Sequence, residues 1–584
     1  MRFCLFSVLF SIHALVLASP SQHCDYYQAG NKNLYWGDLH VHTAYSLDAY
    51  AFGTLNTPAE AYAFAQGQEL RMADGSKVKL ERPLDFVAVT DHAEWFDLMH
   101  ICTDPQQLDN PYCNRLREDS SIDKGGLLFR DYVIPTITLA QPAATPICKN
   151  DPQRCAAALE SQWARVQQQA NDANKPCEFT AQIGYEWSYT QSFSHSHRNI
   201  IFKNEHVTRD AIDYIRFPTL QDLWQQLDKQ CRPEDDCDVI AIPHNTNMGD
   251  GMTFDVETAS DQTLMLRSRY EKLVEIHQEK GNSECLSPLK SEESGDCGFE
   301  NYLTYHSSPK QAAQYTDSQW NKMRSTYVRR LLLRGLKAYE SSASGLNPLQ
   351  MGIIASTDNH SATPGHVQES QWQGPAFGLG NIDRSLRRKD FNPGGLVAVW
   401  AEENTRESIF AALKRREVYA TSGPRIKVKL SVATAGKALS CEETATLGSA
   451  ERSDVVVMGG DFSTVVVTPH FKIESQFDQL PLDRVEIIKG QYSGGELKES
   501  VVELWQRQDQ GENVCVLYSD THFDASAPAF WYVRVKEIPS ARWSAVQCRR
   551  AQRCDDFPGA DITVVERAWT SPIWYLPPKG NSRE

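Results

Sequence analysis

The stretch GDLHVHTAYSLD, residues 37–48, sets two histidines two positions apart between carboxylates. In an extended strand, side chains i and i+2 leave the same face, so His40 and His42 can aim at one centre. The same chemistry recurs along the chain. His92 follows Asp91 after FVAVT, Glu186 closes AQIGYE, His197 precedes RNIIF, His244 closes VIAIPH, and Asp358 and His360, again i and i+2, follow GIIAST. SHSH offers His195 as a rival to His197, which abuts the apolar NIIF. Each residue alone has a plain structural use: Asp91 or Asp358 as a helix cap, Glu186 in a buried ion pair, His244 in a turn beside Pro243. Those uses do not explain why imidazole and carboxylate recur at strand ends. Gathered together, neutral imidazoles and carboxylates make a site for divalent transition metals.

The runs that must position these residues are LYWGDLHV, LDFVAVTDH, FTAQIGYEW, DVIAIPHN, KLVEIHQ, MGIIASTDNH and GGLVAVWA. Near-continuous apolar runs predict strands buried on both faces, as in a parallel sheet. Helical segments lie between several of them. TPAEAYAFAQG has Thr57 as N-cap, Pro58 at N1 and Glu60 at N3. NTRESIFAALKRREVYATSG is read as starting at an Asn404 cap with Glu407 at N3. Strands alternating with helices and long insertions predict a barrel-like α/β domain, whose strand ends form the rim where active sites are built. An open doubly wound sheet fits the periodicity equally. From Pro424 onward, β-branched runs such as IKVKLSV, STVVVTPHFKI and FWYVRVKE, separated by turns, predict a β-sandwich. Residues 19–423 are therefore read as the metal-binding barrel and 424–584 as a β-rich C-terminal domain. The Cys-, Gln- and Pro-rich stretch 102–177 is read as a disulfide-braced insertion above the rim.

The 584 residues are too many for one compact core. A formal net charge of -16 argues against nucleic acid as a partner. A small anionic substrate remains open, because a metal cluster supplies positive charge locally. The first segment, MRFCLFSVLFSIHALVLASP, reads as a secretory signal peptide over residues 1–18, with an N-terminal anchor as the alternative. No later stretch is apolar enough for an integral membrane segment. The chain is thus expected to be exported, periplasmic or secreted. Of the 15 cysteines, Cys4 leaves with the signal, and the even remainder predicts disulfides. Sequence does not fix their connectivity. Local pairing gives Cys102–Cys113, Cys148–Cys155, Cys231–Cys237, Cys285–Cys297 and Cys548–Cys554, then Cys441–Cys515, leaving Cys24 with Cys177 by elimination. The sequence is silent on oligomeric state.

The ordered motifs DLHVHTAYSLD, TDH, GYEW…H, PHN and STDNH resemble the PHP (polymerase and histidinol phosphatase) superfamily. GDLHVHT, IPHNTN, GNSEC, VWAEENTRESIFAALKRREVYATSGPRI and WTSPIW resemble its exported branch, domain of unknown function 3604. The resemblance implies a distorted (β/α)7 barrel with insertions and a cluster of two or three divalent ions, Zn, Mn or Fe. Carried over by motif, His40, His42, Glu186 and Asp358 hold the first ion. The second shares Glu186 and adds His197 and His244. The third takes Asp48, His92 and His360, with Asp48 standing where many members have histidine. Asp38 and Asp91 are expected behind the ligands, fixing imidazole tautomers.

Metals that share a carboxylate lower the pKa of a water between them and stabilise charge developing on a phosphoryl group. For a PHP-like site the leading reaction is phosphoester hydrolysis by metal-activated hydroxide, in line, on a small phosphorylated substrate. Glu186 and Asp358 are central to it, and Arg198 is the candidate to meet the substrate anion, with a structural ion pair as its plain alternative. Hydrolysis of a carboxylic ester, lactone or amide is the competing reaction, and a non-catalytic, metal-stabilised binding module the third possibility. Glu275, His277 and Glu284, near another strand end, are read as shaping the pocket or pinning a loop at Cys285. Trp36, Tyr45 and Trp187 are read as packing beneath the site.

Overall fold

A computed structural model describes residues 23–103, 110–138, 142–287, 295–302, 314–435, 439–442, 454–464, 468–508 and 513–579. The expected signal peptide, 1–18, lies outside the described residues. The strands that carry or frame the histidines are β1 (Asn33–Asp38), β2 (Phe86–Ala88), β3 (Thr180–Gln182), β4 (Gly184–Tyr189), β5 (Ser196–Phe202), β6 (Val239–Pro243), β7 (Leu273–Gln278), β8 (Gly352–Ala355), β9 (Leu396–Ala401) and β10 (Val418–Thr421). Further on lie β11 (Lys427–Ala433), β12 (His470–Gln476), β13 (Leu482–Ser493), β14 (Ala529–Glu537) and β15 (Arg567–Thr570).

The architecture is mixed α/β, built around an 11-stranded sheet. β1, β2 and β3 pair in parallel, and β9 and β10 then continue the sheet antiparallel. β15 adds to β10 through Ala420↔Trp569, β14 to β15, and β13 to β14, so strands from both sides of residue 424 share one sheet. The expectation of parallel strands therefore holds for β1–β3 and for β7 with β8; it fails for β4 and β6, which pair antiparallel with β5, and for β9 and β10. Both of those are buried throughout, and burial on both faces, whichever way a strand runs, is what makes its sequence continuously apolar.

β4, β5 and β6 form a separate antiparallel sheet. Isolated bridges tie these groups together where the motifs lie: His92 to Glu186 and Val41 to Asn359. The backbones of the histidine motifs are thereby linked directly. Glu186 N donates to Asp91 O at 3.0 Å, His42 N to Asn359 O at 2.8 Å, and Asp358 N to His40 O at 2.9 Å. Close approach of β1 to β2 needs Gly37, because a Cβ there would lie 2.4 Å from the Phe86 ring.

Helix α1 (Pro58–Ala65) has the expected capping box, Thr57 N donating to Glu60 at 2.7 Å. α2 (Pro152–Ala173) is the long helix of the stretch 102–177. α3 (Arg406–Arg415) is capped by Thr405 rather than by Asn404. The Asn404 amide is drawn away to the carbonyls of Asp85 (3.0 Å) and Glu178 (3.3 Å). β11 and β12 belong to a second sheet, and Phe471 of β12 packs on Trp531 of β14 with ring centroids 5.2 Å apart. Seven disulfides join the cysteines in the expected pairs, which fits an oxidising compartment. Among the described residues no helix is long and apolar enough to cross a membrane.

Candidate metal centre

All nine side chains singled out as metal ligands converge. His40 and His42 project from the end of β1 onto a point shared with Glu186 and Asp358. His40 Nε2 lies 3.3 Å from Glu186 Oε2 and 3.2 Å from Asp358 Oδ1, and His42 Nε2 lies 3.3 and 3.1 Å from the same two oxygens. Ligand atoms at roughly 2.0–2.2 Å from one ion stand about 3.0–3.5 Å apart, so this quartet has the spacing of a coordination shell. His42 Nε2 is buried and, among the described residues, without a hydrogen-bond partner, as a lone pair reserved for a cation would be.

Glu186 turns its other oxygen to a second pair. Oε1 lies 2.7 Å from His197 Nδ1 and 3.2 Å from His244 Nε2. A carboxylate with each oxygen facing its own pair of imidazoles has the form of a bridging ligand. The third group forms beside it, with Asp48 Oδ2 3.2 Å from His92 Nε2 and 3.0 Å from His360 Nε2. His195 stacks on His197, centroids 4.4 Å apart, but its Nδ1 faces Asn245 at 3.4 Å.

The electrostatics divide along the same lines. Burial disfavours ionised Glu186, yet His92, His244 and His197 outweigh it and hold the carboxyl well below the usual range. Asp48, opposed by burial, is held low by His92 and His360, and Asp358 by His40 and Lys280. Burial alone would lower His92, but Glu186 and Asp48 push it up to about 9. His40 is likewise raised, by Asp358 and Glu275 against burial. His197 is lowered to about 4, chiefly by burial. Protons are thus favoured on His40, His92 and His360, where divalent ions would take their place, while His197 and His244 are held neutral by burial although Glu186 is beside them.

Behind the ligands stands a shell that orients them. Glu275 on β7 accepts from His40 Nδ1 at 3.1 Å, and Ser188 holds His92 Nδ1 at 2.6 Å. Thr190 holds His197 Nε2 at 2.6 Å, and the Asp358 carbonyl holds His360 Nδ1 at 2.7 Å. Asp91 acts as expected but at one remove, accepting from Ser46 at 2.7 Å while Ser46 bonds His42 Nδ1 at 2.9 Å. Asp38 does otherwise: it accepts from Thr357 N, Thr357 Oγ1 and Gly365 N at 3.1, 2.6 and 2.9 Å, and so braces the loop carrying Asp358 and His360.

Arg198 is not brought into the site. Neighbours in a strand point to opposite faces, so with His197 turned to Glu186, Arg198 is fully buried on the far side, its Nε 2.9 Å from Glu271. Its plain alternative, a structural ion pair, is what the fold uses. Glu284 is also structural, receiving Arg329, Arg534, Tyr532 and Trp569 at 2.7–2.9 Å. His277 packs against Phe299 and Trp569. Trp187 and Tyr45 are packing residues, bonded to Phe217 O (3.1 Å) and Gln169 (2.9 Å).

Lys280 and Glu279, just past β7, were not among the expected site residues. Lys280 Nζ contacts Asp358, and Glu279 lies 3.3 Å from His360 Nδ1. Their signal was the polar QEK closing an apolar run, the pattern that marks the other ligands. A chamber of about 150 Å³ is lined by the ligands Asp48, His92, Glu186, His197, Asp358 and His360 and also by Phe129, Val133 and Ile137. A larger one of about 560 Å³ adjoins it at Asp48, His195, Lys280 and His360.

The family described as "Protein of unknown function (DUF3604)" matches residues 29–511 and 505–577. No curated protein matches the chain. Among solved structures, the chain is similar to a crystal structure from Bacteroides vulgatus ATCC 8482, described as a two-domain protein containing a predicted PHP-like metal-dependent phosphoesterase. Identity is 10%, coverage 88% of this chain and 95% of that chain, and the TM-score 0.30.

Proposed function

The chain belongs to the DUF3604 family, and we propose that this member is an exported, metal-dependent hydrolase of phosphoesters. The observation that carries the proposal is Glu186, whose two oxygens face His40 with His42 on one side and His197 with His244 on the other. In this proposal His40, His42, Glu186 and Asp358 hold one ion. Glu186, His197 and His244 hold a second, and Asp48, His92 and His360 a third, the metal being Zn, Mn or Fe. Such ions, when bound, lower the pKa of a water and offset the charge of a phosphoryl group.

The chain's own residues do the rest. Glu275, Ser188, Thr190 and Ser46 fix which imidazole nitrogen faces inward. Lys280 sits where the two chambers meet and supplies a fixed cation beside Asp358, in place of the role expected for Arg198. The aromatic and aliphatic side chains of the insertion keep bulk water from the smaller chamber. The first part of the chain, to about residue 423, is read as a distorted (β/α)7 barrel with these strand ends as its rim, and 424–584 as a sandwich-like β domain. The seven disulfides support export.

The test is a panel of phosphomonoesters, phosphodiesters and carboxylic esters offered to the purified chain with Mn or Zn. Turnover of phosphoesters is expected. Turnover of carbonyl substrates alone would replace this proposal by an ester, lactone or amide hydrolase.

A further inference from the structure

The larger chamber differs in chemistry from the smaller one it adjoins. Its end at Asp48, His360 and Lys280 is polar and belongs to the candidate metal centre. Its walls are aromatic. Phe129 packs on Phe52 (ring centroids 6.3 Å apart), Phe52 on Phe377 (5.8 Å), Phe377 on Phe391 (5.3 Å), and Phe391 on Tyr302 (5.1 Å). The five rings follow one another along the cavity, their contacts running from edge-on to tilted.

Two arginines also line it, but their charges are already met. Arg388 lies 4.6 Å from the Phe391 centroid and bonds Asp390 at 3.0 Å, while Arg384 bonds Asp123 at 3.1 Å and the Ile122 carbonyl at 2.5 Å. Arg388 thus serves as a flat, stacked surface, and Arg384 is held by Asp123 and the Ile122 carbonyl, so neither stands as an open receptor for a second phosphate. A ligand that fits both chambers is therefore anionic at one end only. At the other it is apolar and flat, matching ring edges and faces.

We infer that the larger chamber receives the aromatic group of an aryl phosphoester whose phosphoryl group lies in the smaller chamber. This rests on the phosphoesterase proposed above and adds its substrate class. In the reaction the oxygen of water forms a bond to phosphorus, and the bond from phosphorus to the aryl oxygen breaks. The electron pair leaves on the phenolate, which gains the proton that water loses. For a monoester the products are the phenol and inorganic phosphate.

The experiment separates binding from turnover. Phenylphosphonate and methylphosphonate, which carry the same anionic head and are not hydrolysed, are titrated calorimetrically into the full chain with Mn. Burial of one ring in the chamber predicts roughly 10- to 100-fold tighter binding of the phenyl compound. Two variants localise the effect. Phe377→Ala removes one wall. Gly126→Leu adds bulk at an exposed lining position of the chamber where an added Cβ meets no atom within 4 Å. Both are expected to erase most of the preference for phenylphosphonate and to leave methylphosphonate binding unchanged. Equal affinity for the two phosphonates in the unaltered chain would overturn the inference, as would a preference untouched by Gly126→Leu. If phenylphosphonate is preferred but no phosphoester turns over, the chamber's ligand stands and the phosphoesterase proposal fails. If phosphoesters turn over while both phosphonates bind equally, the reverse holds.

Discussion

Replacing Glu275 by glutamine removes one negative charge from behind His40 and leaves the shape of the side chain intact. Glu275 is fully buried, with its oxygens 3.1 and 3.4 Å from His40 Nδ1, and its charge also acts on His244. Its carboxylate fixes the proton on Nδ1, leaves Nε2 free for an ion, and makes that nitrogen a better donor. Loss of such an outer partner typically lowers metal affinity about 10- to 100-fold, or about 1.4–2.7 kcal/mol. Glutamine can still accept from Nδ1 through its amide oxygen, so the effect belongs at the lower end of that range. Glu275→Leu removes the acceptor as well and belongs at the upper end. The assay is competition with a chromophoric chelator, read as the number and affinity of ions per chain. The ion of His40 and His42 should weaken most and that of His244 less, while the ion at Asp48, His92 and His360 keeps its affinity. Wild-type affinity for every ion in Glu275→Leu would refute the reasoning, because a buried carboxylate in contact with a ligand would then be without effect on it.

Metal uptake should depend on pH. With no ion bound, His92 keeps its proton up to about 9, so an ion binding below that pH must displace it. Affinity should therefore rise with pH toward 9, and calorimetry in buffers of different ionisation enthalpy should register proton release; pH-independent affinity would contradict this. Elsewhere, burial pushes the Glu566 carboxyl up from 4.5 to about 8. Between those values the folded chain binds more protons than the unfolded one, so this residue makes stability fall as pH rises through the window. Denaturant titrations of Glu566→Gln at pH 5 and pH 8 should show a smaller loss than the unaltered chain, and identical losses would exclude the effect. Gly37→Ala forces a methyl against the Phe86 ring and should cost about 1–3 kcal/mol in the same titration, with no cost if β1 and β2 can separate freely.

Which parts of the centre could be read from sequence follows from the geometry of strands. His40 and His42 stand at i and i+2, so extended geometry allows the pair to share a target; Asp358 and His360 have the same spacing but lie beyond β8, where Asp358 takes a positive φ, and they face different groups of ligands. Alternation also decides against Arg198, which directly follows His197 on β5 and so takes the opposite face. The shell residues are harder to see. Glu275 meets His40 only because β7 pairs with β8, whose continuation bridges to Val41, and no local pattern encodes that register. Lys280 was hidden for the same reason, though the polar QEK after an apolar run marks a strand end. The helix-capping box at Thr57 is local and was legible. The cap of α3 shifted by one residue because the Asn404 amide bonds carbonyls far away in sequence. The pairing of β10 with β15 joins residues some 150 positions apart, beyond the reach of hydrophobic periodicity.

The most direct test of the central claim is phosphate release from 1-naphthyl phosphate by the chain stripped of metal with a chelator and then given back Mn or Zn. Metal content is measured on the same samples, and Glu186→Gln is carried alongside. The expected result is no release after stripping, recovery with added metal, and in Glu186→Gln a joint loss of bound ions and of phosphate release that added metal does not restore. Undiminished release from the stripped chain, or wild-type metal content and turnover in Glu186→Gln, would contradict a reaction that depends on metals held in common by Glu186.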